Sequence, residues 1–179
     1  MERKRQEVFN VEDRARAITL VVMDVDGTLT DGAMYYSANG EELKRFSTRD
    51  GMGITLLRKS AIEAAIITSE NSTIVSRRAE KLAIQHVILG CHDKTTALRD
   101  LSERLSIPLD CIAYIGDDVN DAPVMTIVGL SACPADAVEA VKEGSHIVLE
   151  SKGGNGAVRE FCERILVAQG KPVTLHENW

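Results

Sequence analysis

Short apolar runs alternate with amphipathic stretches through most of the chain, and this alternation constrains the fold more than any other feature. The runs are rich in Val, Ile and Leu with little internal alternation, which is typical of strands buried on both faces. They lie at residues 18–25, 64–68, 86–89, 111–115, 130–132 and 146–149. Helical patterns lie between and after them at 51–60, 72–82, 94–105, 121–128, 135–142 and 157–168, with Asp93 and Asp136 at N-cap positions. Strand followed by helix, repeated, predicts an α/β fold with a Rossmann-like parallel sheet and helices on both faces.

One segment interrupts this alternation. Residues 33–36 and 42–47 resemble two strands around a turn at 37–40, which predicts a β-hairpin inserted within residues 31–48. A chain of 179 residues has the length of one domain. We therefore expect a single domain over 1–179, with an N-terminal arm at 1–15 and a C-terminal tail at 170–179.

Charge and composition argue against several classes of partner. The chain has 21 Lys and Arg against 27 Asp and Glu, so its net charge of −6 disfavours binding to nucleic acid or an anionic membrane through bulk charge. No apolar run approaches the ~18–20 residues of a transmembrane helix, and the charged first residues lead into no signal-peptide core. The 4 cysteines are scattered without a C-x-x-C pair. These features predict reduced thiols in a cytoplasmic protein with no nucleic-acid or membrane partner.

Polar side chains collect where the predicted strands end, and ligands of an open parallel sheet bind at that edge. The first run ends in Asp24 and Asp26, the second ends in Thr68, and the third leads to Lys94. The fourth is followed by three further carboxylates, those of Asp117, Asp118 and Asp121. Like charges ~4 Å apart repel by ~4 kcal/mol at an effective dielectric of 20, so such a cluster raises pKa values or binds a cation.

This set of groups predicts phosphoryl transfer. Oxygen ligands around an open cleft suit Mg²⁺, while a hydroxyl and an ammonium add donors for an anion. Just past the strand end, Gly27 permits a turn that separates the tasks of Asp24 and Asp26. One carboxylate can attack phosphorus and form an aspartyl-phosphate, while the other acts first as acid and then as base.

These motifs resemble those of the haloacid dehalogenase superfamily of phosphatases over about residues 18–168. The resemblance rests on Asp24-Val25-Asp26-Gly27-Thr28, Thr68, Lys94 and Gly116-Asp117-Asp118-x-x-Asp121 in that order. A narrower set resembles the 3-deoxy-manno-octulosonate 8-phosphate phosphatase family, which includes related 2-keto-3-deoxy-nononate and N-acylneuraminate 9-phosphate phosphatases. That set comprises Asp31-Gly32, Asn39 to Lys44, Phe46, Arg49-Asp50-Gly51-x-Gly53, Arg78 and Gly153-Gly154-x-Gly156 to Glu160. It implies Mg²⁺, cytoplasmic action on a small sugar-acid phosphate, and a homotetramer built partly through the hairpin.

The resemblance also implies a role for each matching residue. Asp24 is the nucleophile and a metal ligand, Asp26 is the general acid and base with its main-chain carbonyl on the metal, and Asp117 is the third ligand. Thr68 and Lys94 hold the transferring phosphoryl group. Asp118 and Asp121 do not bind the metal directly but orient water and Lys94 around it. The substrate-binding set is Asp26, Ser47, Thr48, Arg49, Asp50, Gly51, Glu70, Arg78 and Lys94.

Two positions depart from the octulosonate members. Those members carry Thr-Gly-Arg where this chain has Thr68-Ser69-Glu70, and they tend to carry an arginine where Thr55 stands. Related nononate phosphatases have a glutamate at the position of Glu70 and a lysine that Lys81 matches. A glutamate accepts hydrogen bonds from sugar hydroxyls, whereas an arginine pairs with a carboxylate. This difference favours a nine-carbon 2-keto-3-deoxy acid 9-phosphate as substrate.

Three other functions remain open. A response-regulator receiver uses similar groups, but it lacks a second acid two residues after the phosphorylated Asp, so Asp26 favours an enzyme. A non-catalytic tetramerisation module of the same fold, as in vertebrate sialic-acid cytidylyltransferases, would keep the hairpin without the chemistry. A general sugar-phosphate phosphatase or phosphotransferase is the third.

The superfamily often shields its site with a cap domain, and this chain has little room for one. A cap is inserted after the first motif or between the second and third. Here the first gap, 30–66, holds only the hairpin and one helix, and the second, 70–94, holds one helix and one strand. We therefore expect no cap domain, with neighbouring subunits covering the site through the hairpin, the glycine-rich segment at 152–156 and the tail.

Overall fold

A computed structural model describes residues 11–175. Six strands of this part form one parallel sheet in the order β5-β4-β1-β6-β7-β8, and two form a separate antiparallel hairpin. The strands are β1 Leu20–Met23, β2 Tyr35–Ser37, β3 Gly40–Leu43, β4 Glu63–Ile67, β5 His86–Ile88, β6 Ile112–Ile115, β7 Leu130–Cys133 and β8 Ile147–Val148. The sheet confirms the predicted α/β fold, and β1 lies at its centre between β4 and β6.

Helices cover both faces of the sheet. They are α1 (residues 11–17), α2 Thr48–Lys59, α3 Thr73–Lys81, α4 Lys94–Leu105, α5 Ala122–Met125, α6 Glu139–Gly144 and α7 Ala157–Ala168, with a short 3-10 helix at Leu109–Cys111. Alternate residues of β1 enter two different cores: Val21 and Met23 pack with α2 and α7, while Leu20 and Val22 pack with α4 and α5. A strand apolar at every position is therefore explained by burial on both faces.

Two predicted helices fall short of their sequence pattern by at least three residues at one end, and one N-cap prediction is wrong. Asp93 caps α4 as predicted, because its carboxylate accepts a hydrogen bond from the Thr96 amide. Asp136 does not cap a helix, since its carboxylate accepts from the Gly153 amide at 2.9 Å. The helix predicted over 135–142 accordingly begins only at Glu139. The pattern at 121–128 yields only the four residues of α5.

The predicted hairpin is present between β1 and α2, with a tighter turn than expected. Its strands pair around residues 38 and 39, and Gly40, which directly follows them, has a positive φ of 109° that glycine adopts without strain. In the described chain, the hairpin is the only regular element between β1 and α2, so no cap domain is inserted there. Residues 11–15 of the predicted N-terminal arm are helical, whereas the rest of the arm and residues 176–179 of the tail lie outside the described residues.

Among the described helices, none is both long enough and apolar enough to cross a membrane.

Candidate active site

The polar residues that follow β1, β4 and β6 meet at one edge of the sheet, as the sequence predicts. The chain runs from β1 outward to β4 and β5, then returns to β6 on the other side, so the topological switch point lies at the end of β1. A cleft of about 290 Å³ opens there. It is lined by Asp24, Asp26, Thr68, Ser69, Glu70, Asp118, Val119 and Asn120.

Three carboxylates form a compact acidic cluster beside this cleft. Asp24, Asp117 and Asp121 each place one oxygen within 4.8 Å of the others. Burial and the charge of Asp121 raise the pKa of Asp24 to about 7, although Lys94 opposes the shift. Burial and Asp121 also raise the pKa of Asp117 to about 7. Desolvated carboxylates at this spacing are suitable ligands for a hard divalent cation.

Lys94 lies between two members of the cluster. It is the first residue of α4, only 2% exposed, and its Nζ donates to Asp24 Oδ1 at 2.7 Å and Asp121 Oδ1 at 2.6 Å. Burial opposes the charged form of Lys94, but the two carboxylates outweigh it and raise its pKa above the usual value. The lysine therefore stays cationic at the edge where a phosphate group would carry negative charge.

Asp121 is held by hydrogen bonds on both of its oxygens. Oδ1 accepts from Lys94 Nζ and from the Tyr114 hydroxyl at 2.7 Å, and Oδ2 accepts from the amides of Asp117 and Asp118. Both oxygens of Asp121 are therefore engaged within the protein, and the orienting role that the family resemblance implies for it remains a prediction. Asp118, by contrast, is exposed at the cleft.

Glycine is required where the turn after β1 meets Asp117. Gly27 has a φ of +86°, and a Cβ added there would lie 2.0 Å from Asp117 Oδ2. Thr28 completes this contact by donating from its hydroxyl to Asp117 Oδ1 at 3.1 Å. Gly153 packs on the same turn, since its Cβ would lie 1.8 Å from the Gly27 carbonyl. The glycine-rich segment thus packs against the turn after β1 of its own chain.

Thr68 and Glu70 occupy the β4 side of the cleft. Thr68 is buried directly after β4, and its hydroxyl accepts from the Glu70 amide at 3.3 Å, which leaves the hydroxyl hydrogen for another acceptor. Glu70 itself is exposed at the cleft. Asn120 donates from its amide nitrogen to Ser69 Oγ at 3.3 Å, joining the β4 side to the β6 side.

The predicted substrate-binding residues at the start of α2 mostly make contacts within the protein. The Ser47 hydroxyl caps α2 by accepting from the Arg49 and Asp50 amides. Asp50 is buried, and its carboxylate accepts from the Gly156 and Arg159 amides at 3.2 and 2.8 Å, so it points towards the start of α7. Burial raises the pKa of Asp50 despite these bonds.

Arg78 lies against the same segment. It donates to the Ser47 carbonyl at 2.9 Å and lies over the Phe46 ring. A Cβ on Gly51 would approach its guanidinium at 2.6 Å. Thr48 and Arg49 are exposed. The substrate-binding roles given to these residues remain predictions.

One residue of the site was missed from sequence. Lys44, just after β3, has a fully buried side chain, and its Nζ lies 2.5 Å from Asp26 Oδ1 and 2.7 Å from Glu41 Oε1. Burial opposes its charge, but both carboxylates outweigh burial and raise the Lys44 pKa. Lys44 and Glu41 belong to the hairpin motif that carries the family resemblance. Nothing in that motif shows that the hairpin folds back onto Asp26.

Comparison with known proteins agrees with this geometry. Residues 57–161 match the family model of haloacid dehalogenase-like hydrolases. The chain is 46% identical over 162 residues to the 3-deoxy-D-manno-octulosonate 8-phosphate phosphatase of Escherichia coli, covering 90% of this chain and 86% of the relative.

Two solved structures of such phosphatases superpose closely. The enzyme from Yersinia pestis is 46% identical, with a TM-score of 0.89 and coverage of 90% of this chain and 88% of the other. That from Moraxella catarrhalis, in complex with magnesium, phosphate and KDO, is 43% identical, with a TM-score of 0.87 and coverage of 89% and 92%. The chain belongs to the haloacid dehalogenase-like hydrolases and, within them, to the 3-deoxy-D-manno-octulosonate 8-phosphate phosphatase family of phosphoric monoester hydrolases.

Proposed function

We propose that this enzyme hydrolyses the phosphate monoester of a 2-keto-3-deoxy sugar acid, using Mg²⁺ and an aspartyl-phosphate intermediate. The observation that carries the proposal is the buried Asp24 carboxylate, paired with Lys94 and followed two residues later by Asp26 at the cleft. The topological switch point then holds three groups: Asp24 as nucleophile, Lys94 as cation for the phosphoryl oxygens, and Asp26 as a separate acid.

The donor set fits Mg²⁺. Asp24 and Asp117 are desolvated carboxylates whose pKa values are raised to about 7, which is the situation that a divalent cation relieves. Both oxygens of Asp121 are taken by hydrogen bonds, so we assign the ligand roles to Asp24, Asp117 and the main-chain carbonyl of Asp26. When bound, the ion neutralises charge on the carboxylates and the phosphoryl oxygens.

The chemistry follows in two halves. Asp24 attacks phosphorus, the bond from phosphorus to the sugar oxygen breaks, and Asp26 gives its proton to that oxygen. Asp26 then takes a proton from water, which attacks phosphorus of the aspartyl-phosphate and releases inorganic phosphate and Asp24. Lys94 and the Thr68 hydroxyl hold the phosphoryl oxygens in both halves.

The preferred substrate in this proposal is a nine-carbon 9-phosphate, either a nononate or an N-acylneuraminate. Its support is Glu70, which is exposed at the cleft where octulosonate phosphatases carry arginine. Lys81, which matches the lysine of the nononate phosphatases, is exposed in the last turn of α3. The second candidate is octulosonate 8-phosphate, which is favoured by the 46% identity to phosphatases named for it.

We further propose that the enzyme works as a cytoplasmic homotetramer. The hairpin carries large exposed apolar side chains, with Tyr36 64% and Leu43 62% exposed, which suits burial against another subunit. All four cysteines are free, which suits a reducing compartment. Sedimentation velocity of the wild type and of the Tyr36→Ser/Leu43→Ser double variant tests the assembly. A wild-type monomer with full activity would contradict it.

A panel of phosphate esters tests the activity. We expect Mg²⁺-dependent turnover of 2-keto-3-deoxy-nononate 9-phosphate, N-acetylneuraminate 9-phosphate and octulosonate 8-phosphate. The two nine-carbon esters should give the higher kcat/KM, and simple hexose phosphates the lowest. Octulosonate 8-phosphate giving the highest value would overturn the interpretation of Glu70. Equal turnover of all esters would indicate a general sugar-phosphate phosphatase, and no turnover would indicate a non-catalytic module.

A further inference from the structure

We propose that Lys44 is a positioning residue for Asp26, and that it links the general acid through the hairpin to the start of α3. This inference rests on the proposed function, because it assigns a partner to the group that protonates the leaving oxygen. It concerns a hairpin residue that the sequence motifs alone leave without a task.

The contact between Lys44 and Asp26 is short, and Lys44 is shielded from solvent. Lys44 Nζ lies 2.5 Å from Asp26 Oδ1, and the Lys44 side chain has no exposed area. A lysine ammonium is almost never fully buried unless it is paired, and within the described part of the chain Lys44 forms ion pairs with Asp26 and Glu41. By contrast, most of the hairpin around it is exposed. Lys44 is therefore the hairpin residue that reaches into the site.

Glu41 joins this pair to the helix beyond the cleft. Its Oε2 accepts from the Ser72 hydroxyl at 2.9 Å. Ser72 occupies the N-cap position of α3 but makes no side-chain cap hydrogen bond to its own helix. Its hydroxyl is used instead to hold the hairpin. The resulting series Asp26–Lys44–Glu41–Ser72 spans the catalytic turn, the hairpin and the helix that follows Glu70.

The pairing assigns different tasks to the two oxygens of Asp26. Oδ1 is taken by Lys44, whereas Oδ2 is buried and has no hydrogen-bond partner among the described residues. A buried polar atom without a partner calls for an explanation, and a catalytic step that supplies the partner is one such explanation. Lys44 therefore fixes the rotation of the carboxylate so that Oδ2 is the oxygen that exchanges the proton.

Leaving-group dependence separates positioning of the acid from a merely structural role. A sugar alkoxide needs a proton as it departs, whereas 4-nitrophenolate does not. For Lys44→Met we expect kcat/KM on a hexose or sugar-acid phosphate, which reports the step in which the leaving oxygen departs, to fall by about 30–100-fold, within the range of general-acid contributions. On 4-nitrophenyl phosphate we expect kcat/KM to change by less than about 3-fold. Lys44→Arg should restore part of the lost rate on the sugar phosphate.

Controls keep the outcomes distinct. Lys59→Met, on the exposed end of α2, should leave both rates unchanged. Glu41→Gln removes the charge of one carboxylate without changing the shape of the side chain. We expect the same difference between the two esters, but smaller. If Lys44→Met does not fold, this variant is measured in its place. Equal slowing of both esters, or of neither, overturns the inference. A wild-type enzyme that hydrolyses neither ester refutes the proposed function instead.

Discussion

Lys94 and Asp24 are separated by 70 residues in sequence, yet their side chains form a buried ion pair with 2.7 Å between Nζ and Oδ1. Both side chains are almost fully buried, and Asp121 shares the same ammonium. Lys94 favours the anionic form of Asp24 against the effect of burial, and the pair keeps a cation beside the cleft. The stability and the activity of the protein should therefore respond together when Lys94 is changed.

Removing Lys94 should leave two carboxylates buried without their cation. We expect Lys94→Met to lower the free energy of unfolding of the metal-free protein by about 3–5 kcal/mol, the usual cost of breaking a buried pair. Turnover should fall at least ~100-fold. Urea denaturation and steady-state kinetics measure the two effects, with Lys59→Met as the control. Unchanged stability would show that the pair is not formed in solution.

Asp24→Asn should remove the nucleophile while preserving the shape of the site. Because an amide cannot form the acyl-phosphate, we expect activity on every ester to be lost. Sedimentation velocity of the same sample tests whether the assembly survives. Full residual activity in an intact oligomer would rule out the mechanism.

The stability of the metal-free protein should fall as the pH rises. Asp24 and Asp117 have folded-state pKa values of about 7, raised from 3.8, so the folded state binds more protons than the unfolded state between these values. Their contribution is present below about pH 4 and is lost as the pH rises towards 7. Mg²⁺ should stabilise the protein more at pH 8, above the pKa values of both groups, than at pH 5, because the ion binds the ionised carboxylates.

Thermal unfolding with EDTA or with Mg²⁺ at pH 5, 6, 7 and 8 measures this dependence. Each kcal/mol shifts Tm by roughly 2–4 °C in a domain of this size, so the change is resolvable. A Mg²⁺-induced shift that does not grow with pH would contradict the raised pKa values.

Gly27→Ala should disrupt the turn that carries Asp26. The added Cβ would meet Asp117 Oδ2 at 2.0 Å, and the φ of +86° is itself strained for alanine. We expect a loss of about 2–3 kcal/mol in the free energy of unfolding, and a large loss of kcat. Gly144→Ala is a suitable control, since nothing lies within 4 Å of its Cβ position. Equal effects of the two variants would count against the close approach.

Asp50→Ala distinguishes a structural role from a substrate-binding role. In the structure its carboxylate caps the start of α7, so we expect the loss of about 1–2 kcal/mol of stability that is typical of a cap. The KM for the sugar phosphate should change little. An increase in KM with unchanged stability would instead support the substrate role that the family resemblance implies.

Glu70→Arg should shift substrate preference. An arginine at the cleft pairs with the substrate carboxylate, whereas the glutamate accepts from hydroxyls. We expect the ratio of kcat/KM for octulosonate 8-phosphate over a nine-carbon 9-phosphate to rise at least ~10-fold. Glu143→Arg, outside the cleft, is the control. An unchanged ratio would remove Glu70 from the specificity residues.

Patterns close together in the sequence determined the fold class and the main constituents of the site. Apolar runs without alternation are explained only by a sheet covered on both faces, and the carboxyl ends of parallel strands share one edge. Asp24, Thr68 and the segment Gly116–Asp121 therefore had to meet, and they do. The N-cap of α4 was also local enough to predict, since Asp93 reaches an amide only three residues away.

Only the tertiary structure decided which partner each remaining polar group takes. Asp136 occupies a position typical of a helix N-cap, but its carboxylate accepts a hydrogen bond from an amide 17 residues further along the chain. The Asp50 carboxylate accepts from amides more than 100 residues further along. Lys44 looks like a solvated hairpin lysine, but the fold of the hairpin places it on Asp26. Side-chain pairing over such separations depends on how whole elements pack, and no local pattern of residues encodes that packing.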